Sequence, residues 1–433
     1  MENEHDVDCG CQEYNELSRR QFVAAGASMS ALAVFPDWLP RISMAENYAA
    51  NRDIIVSIFM RGGADGLSLV APFGDPAYYT SRSSIAIPRP DSGDVNKGIS
   101  LDGFFMFPQA MSSLLPAYTA TDLLIVHGTG SLNNSRSHFD AQRYMEVGKP
   151  ADPSVITGWL GRHLNLMPAL KPGAPLRALG IANGLQKTLV GAPNTLPIGN
   201  PANYSVGGAT GTQAQRLAFM DTDYGSSADT PLRSAALDAT ATVALLKSVN
   251  FTGYAPANGA AYPTSGFGRA LRSVAVLIKQ DVGIEAAQVD IGGWDTHSAQ
   301  DPLTVTGSMF RTMTDFSTSL AAFYADVIAT GFPVTVVAFS EFGRNVRENG
   351  SNGTDHGRGA VMFAMGKGIV GGRVYTKVPW VGLDRANLEQ GQDLKVTVDL
   401  RDILSEIVQN RLGNPNIGTV FPTWTPSFVG VTR

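Results

Sequence analysis

Asp65, Asp295, His297, Glu341 and His356 are side chains that can bind a cation or move a proton, and each falls at the edge of a predicted element. Oxygen and imidazole donors without sulfur suit zinc or manganese first, with magnesium or calcium as alternatives. One or two such ions would stabilise the entering and leaving oxygens of a displacement at phosphorus or sulfur. Ser137 is the candidate nucleophile, because a hydroxyl beside a bound cation loses its proton more readily; Ser135 competes with it. His138 comes next, either as packing at a helix start or as a substrate contact. Arg136 and Arg344, with Arg61 nearby, offer planar guanidinium groups that grip phosphate or sulfate through paired hydrogen bonds.

Each position also has a plainer reading. Asp65 sits in a glycine-rich turn and Ser137 in a helix-cap position, Asp295-Thr296-His297 could be a polar turn, and Glu341 could simply pair with Arg344. His127 and His163 are read as satisfied core histidines, one inside an apolar strand and one on a helix.

The elements that would position these residues follow from the apolar runs. Val334 to Phe339 is a short buried strand ending at Ser340-Glu341, and Ala360 to Met365 is a second strand beginning just after His356. Asp53 to Met60 is a strand running into Arg61-Gly62-Gly63-Ala64-Asp65-Gly66, which is not a phosphate loop because no Gly-Lys-Ser/Thr follows. Leu123 to His127 and Ala286 to Ile291 are further strands, the latter ending in GGWDTH. A helix is expected to start near Ser137 or His138, and others cover 155–167, 269–279, 304–330 and 400–412. Residues 71–108 read as a long surface excursion. Residues 191–268, rich in Asn, Pro, Gly, Ala and Thr, read as a cap inserted over the site. Strands alternating with helices predict one α/β domain over residues 46–433, with a mostly parallel sheet and helices on both faces. Acids at the C-terminal ends of such strands lie where ligands bind in open α/β sheets.

With 44% hydrophobic and 16% charged residues, the 433-residue chain has ample material for a core. Its net charge of −5 comes almost entirely from the first 45 residues, which leave 31 acids against 30 bases. That balance argues against a nucleic-acid partner, and nothing after the leader is apolar enough to span a bilayer. Cys9 and Cys11 are the only cysteines, so the body offers no thiolate ligand or nucleophile. Ser18-Arg19-Arg20-Gln21-Phe22, the uncharged run Val23 to Phe35 and Ser43-Met44-Ala45 have the order of a twin-arginine signal peptide over residues 1–45. They predict engagement of the twin-arginine export machinery and a periplasmic or secreted protein.

Taken in order, RGGADGLS, SRSHFDAQRYMEVG, GGWDTH, AFSEFGR and TDHGRG resemble a large family of uncharacterised exported bacterial proteins. In block order that family resembles, more distantly, the alkaline phosphatase and sulfatase superfamily. The resemblance implies a three-layer α/β/α sandwich and a two-metal site around a nucleophile on a helix N-terminus. On that basis Asp65 would be the first metal-ligand acid and Ser137 the nucleophile. Asp295, His297 and His356 would hold one ion, and Glu341 would serve the other. The chain departs from the pattern at Glu341-Phe342, where the superfamily has Asp-His, and it has no cysteine for a sulfatase formylglycine.

The leading expectation is an exported metal-dependent hydrolase of small-molecule or polymeric phosphate or sulfate esters. A non-catalytic exported binding protein on the same fold is the alternative. A conventional serine esterase is disfavoured, because the G-x-S-x-G elbow is absent.

Overall fold

The computed structural model describes residues 52–377 and 379–433; the expected signal peptide lies outside the described residues. The central nine-stranded sheet is built from β1 (Ile54–Met60), β2 (Leu123–Gly130), β3 (Ala178–Ile181), β4 (Thr195–Pro197), β5 (Ala286–Ile291), β6 (Val334–Phe339), β7 (Ala360–Met365), β8 (Arg373–Tyr375) and β9 (Val398–Asp399). Across the sheet they run β8-β2-β7-β6-β1-β5-β3-β4, with β9 beside β2. Every pairing is parallel except those of β7, which runs against both β2 and β6. The N-terminal end of β7 therefore lies at the same rim as the C-terminal ends of its neighbours.

Alternation along the strands divides the core into two layers. Val56, Ile58, Val336 and Ala338 point to one face, where the helices Gly266–Lys279 and Ser308–Phe323 bury Leu271, Val274, Phe316 and Leu320. Ile55, Phe59, Val337 and Phe339 point to the other, covered by α1 (His138–Val147), α2 (Trp159–Leu166) and the helix Leu400–Asn410. The architecture is a three-layer α/β/α sandwich with a mostly parallel sheet, as the sequence led us to expect. No helix among the described residues is long and apolar enough to cross a membrane.

One expectation is corrected. Residues 71–108 are no mere surface excursion. Phe73, Tyr78, Ile87 and Met106 form a third apolar cluster with Val346, Leu383 and Leu394, and Arg82 is wholly buried. The stretch 191–268, expected as a cap, has hydrogen bonds at the rim where β3 and β6 begin. Thr242 bonds the carbonyl of Pro175, while Tyr254, Tyr262 and the backbone N–H of Ala257 converge on Asp326 just before β6 begins. Asp326 marks the rim from which β6 starts, opposite the one where Glu341 lies.

Candidate metal centre

Four segments meet at the C-terminal rim of the sheet. Residues after β5 supply Asp295 and His297, and His356 precedes β7. The loop after β2 leads to His138, the first residue of α1, and the loop after β6 carries Glu341 and Arg344. The turn after β1 threads between them. Gly62 has φ +119, and a Cβ there would lie 2.7 Å from the backbone nitrogen of Asp295. Only glycine lets the turn come this close.

Three imidazoles point their Nε2 atoms at one another and at Asp295. His356 Nε2 lies 3.1 Å from His138 Nε2 and 3.0 Å from His297 Nε2. Asp295 Oδ1 is 3.4 Å from His356 Nε2 and 3.1 Å from His297 Nε2, while Oδ2 is 3.6 Å from His138 Nε2. His138, Asp295 and His356 together have the spacing of a metal-ligand group. Donors at zinc's usual bond length in a tetrahedron sit about 3.3 Å apart, so the spacing fits a small divalent ion.

The far side of each ring fixes its tautomer. His138 Nδ1 meets Glu341 Oε1 at 2.7 Å, His356 Nδ1 meets the carbonyl of Arg136 at 3.0 Å, and His297 Nδ1 meets Asp355 Oδ1 at 3.1 Å. A carbonyl or carboxylate can only accept, so Nδ1 donates in each ring and the neutral imidazole turns a lone pair to the centre. Two close nitrogen–nitrogen contacts then face lone pair to lone pair. One proton can serve only one of them, whereas a cation serves both. Outer partners of this kind are how proteins orient metal-binding histidines.

The charges agree. Burial alone would raise the Asp295 carboxyl, but the protonated His138 ring and the Arg344 guanidinium hold it far below the carboxylate range. Burial likewise works against ionisation of Glu341, yet His138 and Gln142 bring it down to about 2. In His138 burial favours the neutral ring, but Asp295 and Glu341 push its pKa up to about 9. Without an ion that ring holds a proton which an ion must displace.

The expected site residues thus divide. Asp295, His297 and His356 meet as ligand candidates, and they are joined by His138, which sequence reasoning had given only a packing or substrate role. Glu341 stands one step back. Its Oε1 accepts from Gly62 N, Gln142 and His138, and its Oε2 from Ser340, so it orients His138 instead of facing an ion. Asp65 does not join the group. Its carboxylate is locked to Arg82 at 2.5 and 2.9 Å and also accepts from Ser68 and Gln300. Phe342 packs against His138 and His356 with its ring tilted by 39° and 43° and centroids 4.9 and 4.8 Å away.

The arginines are also committed. Arg344 is buried and gives its donors to Asp295, to the carbonyls of Gly62, Gly63 and Trp294, and to that of Thr354, so it organises the loops and cannot reach a substrate. Arg61 is buried against Asp290, Glu146 and Gln142. Arg136 pairs with Asp393 and keeps a third of its side chain exposed. Ser137 is exposed and caps α1, accepting weakly from Asp140 N at 3.5 Å. Its Oγ makes no hydrogen bond to a histidine among the described residues. His127 and His163 are core residues as expected, held by Val70 O and Asn414 respectively.

Glu341→Gln tests the outer layer. Losing the charge behind His138 should weaken zinc affinity by about 10–100-fold. A competition titration with a chromogenic chelator reads this, and unchanged affinity would contradict the role.

Among curated protein sequences none matches this chain. Among solved structures it is similar to the PsFucS1 sulfatase from Pseudoalteromonas sp., at 11% identity and a TM-score of 0.34, over 88% of this chain and 74% of that one. It is similar to the C-terminal periplasmic domain of EcEptC from Escherichia coli, in complex with Zn, at 11% identity and a TM-score of 0.32, over 87% and 88%. An alkaline phosphatase from the Antarctic bacterium TAB5 aligns at 12% identity and a TM-score of 0.28, over 73% and 92%. Residues 153–410, which carry Asp295, His297, Glu341 and His356, match a family described as a protein of unknown function, and the chain belongs to that DUF1501 family.

Proposed function

We propose that this chain is an exported metal-dependent hydrolase of phosphate or sulfate esters. The observation that supports it is the convergence of His138, His297 and His356 Nε2 on Asp295, each ring pinned from behind. A divalent ion bound there, zinc or manganese first, would polarise an ester oxygen and ease deprotonation of a neighbouring hydroxyl. His138, Asp295 and His356 form the inner group, His297 closes it from the solvent side, and Arg344 keeps Asp295 ionised and aimed. Ser137 is the proposed nucleophile, being exposed at the rim and adjacent in sequence to His138. A water molecule in its place is the second reading, favoured by the capping role of Ser137 and by its lack of a hydrogen bond to the cluster. The twin-arginine leader supports export through that machinery, with the ion acquired before transport.

The deciding experiment combines metal analysis of the exported protein with turnover of aryl phosphates, phosphodiesters and sulfates, after loading with zinc or manganese. Bound metal without turnover on any of these would leave a binding protein. Ser137→Ala is expected to keep the metal and lose at least about 10³-fold in rate; an unchanged rate moves the attack to water.

Metal uptake should also depend on pH. His138 carries a proton below about 9 in the ion-free chain. Apparent zinc affinity should therefore rise about tenfold per pH unit between pH 7 and 8.5, with proton release on binding. The folding linkage runs the other way. The raised pKa stabilises the ion-free fold fully below the ordinary histidine value of 6.5, and this is lost as pH rises through about 9. Calorimetry in buffers of different ionisation enthalpy reads the proton release; none at pH 7 would contradict the assignment.

A further inference from the structure

The loop between β2 and α1 carries two parts of the centre and is itself weakly held. Residues 131–137 include the Arg136 carbonyl that accepts from His356 Nδ1, and Ser137, which caps the helix opened by His138. None of these residues is buried, and none lies in a strand or helix. Ser131, Asn133 and Ser135 each accept from the backbone N–H two residues on, at 3.1, 2.9 and 3.3 Å. Those bonds shape the loop without attaching it to anything else. Arg358 Nη2 reaches the carbonyls of Ser131 and Leu132 only at 3.4 Å. Apart from the cap on α1 and the His356 bond, the remaining hydrogen-bonded tie among the described residues is the Arg136 side chain.

That side chain ends on a fixed point. Its guanidinium pairs with Asp393, which is wholly buried, and Nη2 also reaches Gln390 Oε1 at 3.4 Å. Asp393 N bonds Glu389 O at 3.1 Å, Asp393 O accepts from Glu389 N at 2.9 Å, and the residue bridges Asn345. On either side of it, Gln392 O accepts from Val346 N at 2.9 Å and Leu394 O from Gly359 N at 2.8 Å. The anchor is thus fastened to both arms of the segment 340–359, which carries Glu341, Arg344 and His356. Burial pushes the Asp393 carboxyl up, and Arg136 offsets this only in part. Asp393 Oδ1 has no partner among the described residues. Breaking the pair would leave a buried carboxyl alone, so the pair holds and the loop stays pinned.

We propose that Asp393 is a positioning residue of the metal centre, acting through Arg136 to pin the loop whose carbonyl orients His356. Neither side chain has to touch an ion or a substrate to do this. The inference rests on the histidine cluster and on no step of ester hydrolysis.

Arg136→Leu, Asp393→Leu and the double variant test it, with Arg136→Lys as the conservative control. Zinc affinity, read by chelator competition, should fall by about tenfold in each single variant, the low end of what loss of an outer partner costs. The double variant should lose no more than either single one, because both changes cut the same link. Arg136→Lys should recover part of the loss. In protein labelled with 15N-histidine, the His356 Nδ1 proton should exchange with water faster in the single variants than in wild type. Should Asp393→Leu not fold, Arg136→Leu against Arg136→Lys decides by the same two readouts. Folded variants with wild-type exchange and zinc affinity, or losses that add in the double variant, would overturn the proposal. So would a loss confined to KM for esters in Arg136→Leu, which makes Arg136 a substrate contact. These effects without ester turnover remove only the hydrolase reading. If wild type takes up no zinc, the metal reading falls, and the exchange measurement still decides whether Asp393 holds His356.

Discussion

Alanine at His356 is expected to leave the protein folded and without its ion. His356 Nε2 stands between the Nε2 atoms of His138 and His297 and next to Asp295 Oδ1, so it touches every other member of the group. Loss of an outer partner typically costs about 10–100-fold in metal affinity; loss of this central donor should cost more, taking bound metal from stoichiometric toward zero and turnover with it. The fold should survive, because the ring is part-exposed and its Nδ1 bond is to a loop carbonyl. Metal analysis after purification, with circular dichroism as control, reads the outcome. A variant that keeps a full complement of metal would show that the imidazoles converge for another reason.

The second large effect concerns stability. Arg82 and Asp65 form a fully buried ion pair, with Arg82 also bonded to the carbonyls of Val346 and Asn345. Burial opposes ionisation of Asp65, but Arg82 holds its carboxyl below the ordinary value. Removing one partner of such a pair typically costs about 3–5 kcal/mol, because the other charge stays buried alone. Arg82→Met should lose that much in urea unfolding, and Arg82→Met with Asp65→Leu should recover most of it. Metal stoichiometry should be unchanged in the double variant. A loss of metal there would return Asp65 to the ligand set.

The apolar runs made the sheet legible. β6 and β7 appear as expected because a fully buried strand needs an unbroken stretch of β-branched and aromatic residues, and the helix after Ser137 begins where its cap is written. The long helix expected over 304–330 is regular only from Ser308 to Phe323 and loosens into a π turn at Tyr324–Ile328, a change the apolar spacing does not encode. Residues at strand ends were legible too, since chain reversal at the rim brings Asp295, His297 and His356 together. Which acid faces an ion was not legible. Asp65 and Glu341 have the right type and place, but their partners Arg82, Gln142 and Ser340 come from elsewhere in the chain or from a rotamer, and no spacing rule names them. His138 escaped notice as a ligand because a histidine opening a helix looks the same whether it packs or binds. Arg82 lay hidden in a Pro- and Ser-rich stretch whose composition resembles that of a surface loop.

The reversed direction of β7 has a consequence for the loop that joins it to β6. β6 and β7 pair as antiparallel neighbours, so residues 340–359 form a lip rooted at both ends in the central sheet. The root carries Glu341, Arg344 and His356, while the tip, Asn349 to Gly353, closes on Asn349 Oδ1 and is bonded to the His297 loop, through Asn349 Nδ2 to the carbonyl of His297 and through the carbonyls of Ser351 and Asn352 to the N–H groups of Ala299 and Gln300. A change at that tip would therefore reach His297, because the two loops share these bonds.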